Sequence, residues 1–161
     1  MCSRHVTRDG HQESPARTET IIERLLDSKN GVREWEIIPH QSFPPASIET
    51  ISSVHDIKYV NFVRKLSESA HRDAAPVAFT PRVQVGIHGT AESAAKNSEC
   101  CDTFISSGSY DAATYAAGAV VAGVDAVLDG KCKNAFCVVR PPGHHSGIQE
   151  CLTSRIETIN P

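Results

Sequence analysis

The feature that most constrains the fold is a long helical pattern that runs into an uninterrupted apolar strand. After Ser107-Gly108-Ser109, the residues Tyr110, Ala113, Ala117, Val121, Val124 and Leu128 recur at steps of three or four, the spacing of one helix face. Ser109 is placed to act as N-cap, and Asp111 suits the positive end of the helix. Gly118 and Gly123 would each weaken an isolated helix by up to about 1 kcal/mol relative to alanine, so they predict a close backbone approach, to a sheet. Asp129-Gly130 ends the helix, and Ala135-Phe136-Cys137-Val138-Val139 is a continuous apolar run of strand length. A strand of this kind directly after a helix reads as a central parallel strand covered on both faces. The fold class implied is α/β, a parallel sheet flanked by helices.

Upstream, Ser14 before Pro15, apolar residues at Ile21, Ile22, Leu25 and Leu26, and Asn30-Gly31 predict a helix over Pro15 to Lys29. Trp35 to Ile38 is a short β-prone run stopped by Pro39, and Phe43-Pro44-Pro45 is a loop. Ile48, Ile51 and Val54, then Tyr59, Val60, Phe62, Val63 and Leu66, predict two short helices around a turn at His55-Asp56. Ser67 to Pro81 reads as a surface connection with one short strand at Pro76 to Phe79. Val83 to Ile87 alternates as a half-buried strand does, and Thr90 to Cys101 reads as a loop.

With 161 residues the chain holds one domain or part of a larger one. The 19 acidic and 16 basic residues give a formal charge of −3 without any block of like charge, which excludes the electrostatic footprint of a nucleic-acid backbone binder. No apolar stretch approaches the roughly 20 residues that span a bilayer, and the start at Met1-Cys2-Ser3-Arg4-His5 is polar, so no membrane partner and a place in the nucleus or cytoplasm are expected. The six cysteines form no paired framework and are expected as free thiols.

The apolar strand leads directly into Arg140-Pro141-Pro142-Gly143-His144-His145. In open α/β sheets, ligands bind at the carboxyl ends of strands, which is where this loop emerges. Two prolines stiffen it, Gly143 admits backbone conformations closed to other residues, and two consecutive imidazoles can act as an acid/base pair around a polarised water. On the pattern alone, a surface loop with two solvated histidines is an equal alternative.

These residues resemble the tandem-histidine motif of the zinc-dependent histone deacetylases, in the form of the class II branch and of acetylpolyamine amidohydrolases. Three further segments occur in the same order. His11-Gln-Glu-Ser-Pro-Ala-Arg17 resembles an early H-x-E-x-P-x-R signature, Ala46 to Val60 a helical segment, and Cys101 to Asn134 the helix region that precedes the strand. The resemblance covers roughly residues 5 to 152 and implies an arginase/deacetylase-like parallel sheet and hydrolysis of N-acetyl-lysine amides. It implies that His145 is the general base and His144 its electrostatic partner. Asp102 would be the rim carboxylate that binds the substrate backbone, Gly143 part of the substrate-binding loop, and Arg17 the arginine beside the channel for departing acetate. From the residues alone, Arg17 reads as a surface helix residue, and the alternative for Asp102 is an exposed loop or helix-entry carboxylate. The implied partners are acetylated proteins, histones among them, and corepressor proteins.

The family's cofactor is Zn2+, held by an aspartate, a histidine and a second aspartate that lie downstream of the histidine pair. Those ligands are absent from this sequence, so no metal residue is assigned. The expectation is an amino-terminal portion of the catalytic domain over 1–154, truncated before the zinc-ligand strands, with a non-family tail at 155–161. Water without zinc keeps a pKa near 15.7 instead of one near 7, so no turnover is expected from these residues alone. The strand Ala135 to Val139 is expected to show an unpaired edge, an aggregation hazard. Two alternatives are a short non-catalytic product that binds partner proteins and an acetylpolyamine amidohydrolase. A third is a substitute metal site formed by Cys137, His144, His145 and Cys151, although that spacing fits no compact zinc module.

Overall fold

Proline at the first helical position and an extended Ser14 before it start helix α1, Pro15–Leu26. The Ser14 side chain makes no capping bond; its carbonyl accepts from the Arg17 N–H instead, at 3.2 Å. The computed structural model describes residues 2–27, 36–71, 75–79 and 103–142. Within these, the element order is a 3-10 turn at Cys2–Arg4, α1, a 3-10 turn at His40–Ser42, α2 (Ile48–Ser52), α3 (Ile57–Ser69), β1 (Val77–Ala78), β2 (Phe104–Ile105) and α4 (Ser109–Leu128). The expected run Trp35 to Ile38 forms no strand over its described residues 36–38. The expected strand Val83 to Ile87, the loop Thr90 to Cys101 and the Asn30-Gly31 stop lie outside the described residues.

Two short helices around His55-Asp56 are present as expected. Ser47 caps α2 by accepting from the Thr50 N–H, and Asp56 caps α3 by accepting from the Lys58 N–H at 2.8 Å. Helix α3 continues to Ser69, past the expected surface boundary at Ser67. Ser67 is 1% exposed because its hydroxyl donates to Ser106 O at 2.8 Å and accepts from the Tyr110 N–H at 3.1 Å, stitching α3 to the start of α4. The core gathers Ile51, Tyr59, Val60, Val63, Phe79 and Ile105 between α2, α3 and the β-ladder.

The expected parallel sheet is not what the described residues form. Their ladder is two-stranded and antiparallel, pairing Val77 with Ile105 and Ala78 with Phe104. Ala135 to Val139 runs without ladder partners among the described residues, and Phe136 is 64% exposed. A parallel strand takes its hydrogen bonds from a neighbouring strand, and the described residues supply none beside this segment.

Helix α4 confirms the predicted end, with Gly130 at φ 70° directly after Asp129. Its buried face agrees with the expected one at Ala113 and Ala117 and departs from it beyond them. Ala112, Ala113, Ala116 and Ala117 are buried, whereas Val121 and Leu128 are exposed. The small side chains let the backbone of residues 44–46 lie directly on the helix, where the Ala46 N–H donates to Thr114 O at 2.9 Å. Gly118 therefore approaches a loop and not a sheet, since a Cβ there would collide with the Pro44 carbonyl. Gly123 does face the 135–137 segment, in van der Waals reach of Ala135 and Cys137. By length and composition α4 could cross a membrane, contrary to the expectation that no stretch approaches that length, but its alanine face is packed inside the fold.

Candidate functional site

Arg140, at the end of the apolar run, is 1% exposed. A buried guanidinium needs a counter-charge and acceptors for its donors, and both come from the first thirteen residues. Nε donates to Glu13 Oε1 and Nη2 to Glu13 Oε2, each at 2.7 Å, a bidentate pair. Nη1 donates to Cys2 O at 2.8 Å and to His5 O at 2.7 Å. The Arg140 backbone N–H lies 3.4 Å from Cys2 Sγ. The amino-terminal segment is thereby tied to the end of the apolar run that precedes Pro141-Pro142.

Glu13 sits between two basic groups. Burial pushes its carboxyl up, but the His5 ring and the Arg140 guanidinium outweigh that and hold it down at about 2. His5 Nε2 lies 3.6 Å from Glu13 Oε2, and His5 Nδ1 lies 2.7 Å from Ser109 Oγ. Ser109 Oγ in turn accepts from the Ser106 N–H at 2.7 Å, and Ser106 Oγ accepts from the Val6 N–H at 3.0 Å. Ser109 is thus the first residue of α4 and not its N-cap, which is Gly108; a Cβ at Gly108 would collide with the Arg4 carbonyl. Carboxylate, imidazole and hydroxyl stand in series here, but both carboxylate oxygens serve Arg140 and the hydroxyl serves the turn. The arrangement holds backbone in place.

Beside this network lies a small cavity of about 70 Å³, lined by His5, Glu13, Tyr59, Ser109, Pro141 and Pro142 among others. Its walls are mainly apolar.

Of the residues assigned from sequence, Arg17 lies on α1 with its side chain exposed. Asp102, Gly143, His144 and His145 lie outside the described residues, directly beyond Thr103 and Pro142. Of the substitute metal site, only Cys137 is described. Its Sγ is turned to α4, 3.6 Å from Ala119 O, and burial pushes the thiol pKa up, away from the thiolate a metal takes. Among the described residues no three His, Cys, Asp or Glu side chains gather so as to hold a metal ion, so these residues do not fit a zinc site. Cys2, Cys132 and Cys137 are free thiols.

Sequence reasoning passed over Glu13, His5 and Arg140 as a group. The signal that could have found them was Arg140 itself, a charged residue closing an apolar run, which requires a carboxylate somewhere in the chain.

Residues 11–152 match the family model described as the histone deacetylase domain. The chain is 30% identical over 176 residues to Type-2 histone deacetylase 1 of Dictyostelium discoideum, a match covering 95% of this chain and 12% of that protein. It is 32% identical over 136 residues to the histone deacetylase-like amidohydrolase of Pseudomonas aeruginosa, covering 84% of this chain and 28% of that one. Among solved structures, the HDA15 HD domain superposes with a TM-score of 0.68 at 24% identity, over 97% of this chain and 39% of that chain. The fold is that of a deacetylase domain, and the chain spans well under half the length of each of these relatives.

Proposed function

The chain belongs to the histone deacetylase family, and from that membership we propose that residues 1–154 form the amino-terminal part of a lysine deacetylase domain that hydrolyses N-acetyl-lysine amides. The observation that supports this reading is the buried Arg140, anchored through Glu13, immediately before Pro141-Pro142-Gly143-His144-His145. A catalytic pair works only when held to within a fraction of an ångström, and a chain segment pinned by four charge-assisted bonds is a rigid base for such a loop.

In this reading a water adds to the acetamide carbonyl carbon. His145 takes its proton at an imidazole nitrogen and passes it to the leaving lysine amine, which breaks the C–N bond and frees acetate. His144 stabilises the charge that develops on its neighbour. Asp102 accepts hydrogen bonds from the substrate backbone, Gly143 lets the loop lie close to the acetyl-lysine, and Arg17 stands beside the route of departing acetate. In the family zinc polarises the carbonyl and the water; the described residues do not fit that ion, and no step here is routed through it. The substrates are acetylated proteins such as histones, the partners are corepressor proteins, and the location is the nucleus or cytoplasm.

The test is acetate release from an acetyl-lysine histone peptide by the complete protein that carries these residues, compared with its His145→Ala variant. Loss of a general base lowers kcat by about 10²–10⁴-fold. Equal rates in parent and variant would overturn the reading. Faster turnover of an N-acetyl polyamine would move the substrate class from proteins to polyamines.

A further inference from the structure

We propose that the small cavity beside the Arg140 network is a binding site for a neutral, hydroxyl-bearing molecule of about three or four heavy atoms, a short-chain alcohol. The inference stands on residues of the cavity wall and is independent of the deacetylase reading.

The size of the ligand follows from the volume. At about 70 Å³ the cavity is roughly half as large as the 150 Å³ or so that admits one benzene. Val63, Phe79, Ile105 and Ala113 supply apolar wall from α3, the β-ladder and α4, and all four are buried. Such a wall favours an alkyl group over water, which gains nothing from covering it.

The chemistry of the ligand follows from His5 and Glu13, which also line the cavity. The Glu13 carboxyl is held down at about 2 and is ionised at neutral pH. A carboxylate only accepts hydrogen bonds, so the His5 nitrogen that faces it, Nε2, carries a proton. The two atoms stand 3.6 Å apart, beyond the 2.7–3.2 Å or so of an N–H···O hydrogen bond. A buried donor and a buried acceptor thus oppose each other without being joined, on a ring that is 4% exposed. Nearby hydroxyls are already engaged. Thr7 Oγ1 donates to Glu13 O, and Ser109 Oγ accepts from the Ser106 N–H and lies 2.7 Å from His5 Nδ1. A ligand hydroxyl serves both groups, because its oxygen accepts from Nε2–H and its own proton goes to the carboxylate. Each Glu13 oxygen takes one bond from Arg140 and has capacity for a second.

Charge then selects among ligands of this size. The Arg140 guanidinium is matched by Glu13, so an anionic ligand would bring a second negative charge beside the carboxylate. A cation would lose its hydration without gaining an unmatched counter-charge.

The experiment titrates the 161-residue chain with propan-2-ol, and separately with sodium acetate as a charged control of similar size, at neutral pH and constant ionic strength. Ligands this small bind no tighter than about 10⁻⁵–10⁻⁴ M, so the titration runs from about 1 to 200 mM. The methyl signals of Val63, Ile105 and Ala113 are followed by 13C NMR. His5 Nε2 is followed by 15N NMR through the carbon-bound ring protons. The expected result is that all four move along one saturating curve with propan-2-ol, that the methyl of Ala126, outside the cavity wall, stays in place, and that acetate moves none of them. His5→Phe, which keeps a ring and removes the donor, is expected to weaken binding about two- to tenfold, the worth of one hydrogen bond.

Shifts that rise in proportion to concentration without saturating, or that reach Ala126 equally, would overturn the proposal, because they report the solvent and not a site. Acetate that binds as tightly as propan-2-ol would overturn it too, and so would unchanged affinity in His5→Phe. If His5→Phe does not fold, the parent chain decides: cavity methyls that saturate while His5 Nε2 stays unmoved overturn the hydroxyl contact, and Nε2 moving on the same curve supports it.

Discussion

Replacing Glu13 by Gln removes the counter-charge of a guanidinium that is 1% exposed. The amide keeps one acceptor oxygen but turns its NH2 towards an Arg140 nitrogen that is itself a donor, at a contact of 2.7 Å in the parent. The magnitude can be worked from the carboxyl, which is only 13% exposed. Its fall from 4.5 to about 2 corresponds to about 3 kcal/mol at 1.36 kcal/mol for each pH unit. That agrees with the roughly 3–5 kcal/mol lost when one partner of a buried pair is removed. Because the folded-state pKa is the depressed one, this stability is fully present above pH 4.5 and is lost as pH falls through about 2. At pH 7 the variant is therefore expected to melt about 6–12 °C below the parent, at about 2–4 °C for each kcal/mol in a chain of this size. The gap narrows steadily as the pH is lowered from 4.5 towards 2. Urea and thermal unfolding of both proteins across that range is the assay. A difference under about 1 kcal/mol at pH 7, or one that does not shrink with acid, would mean that the carboxylate is not held as a buried counter-charge.

Three further outcomes can be checked with little effort. Gly118→Ala drives a methyl group into the Pro44 carbonyl, and a loss of about 1–3 kcal/mol, read by thermal melting, is expected of such overpacking. Ile51→Ala empties part of a core site that is 6% exposed and should cost about 2–5 kcal/mol in a urea titration. Cys137, whose thiol burial pushes up in pKa, should react with iodoacetamide near pH 8 more slowly than a free cysteine does, as followed by peptide mass spectrometry.

The elements that were legible in the sequence are those whose stability is local. Pro15 at a helix start, the turn at His55-Asp56 between two short helices, and Asp129-Gly130 at the end of α4 act within a few residues of chain, and the structure places all of them as read. What was misread depends on distant chain. The apolar spacing of α4 was right at Ala113 and Ala117 but not at Val121 and Leu128, because the buried face is the alanine face, where the residue 44–46 backbone lies and demands small side chains. Ser109 has the chemistry of an N-cap, yet its hydroxyl is drawn to His5 and the Ser106 N–H, and the helix starts one residue earlier in register. Ser67 looked like the start of a surface connection until its partners, Ser106 and Tyr110, became known.

The candidate site shows the same division. Glu13 and Arg140 each lie inside a motif that was legible by itself, and nothing local joins them, since they are 127 residues apart in the chain. The family match over 11–152 contains both motifs and agrees with the resemblance that the motifs suggested.

The anchor before His144 and His145 requires the Arg140–Glu13 pair to be charged and buried in the folded protein, and the direct measurement is the titration of the Glu13 side-chain carboxyl by 13C NMR. The expected result is a carboxylate that stays ionised through pH 4.5 and is half protonated only at about 2. Protonation at the ordinary value of 4.5 would mean that the pair does not form, and the anchor would be lost with it.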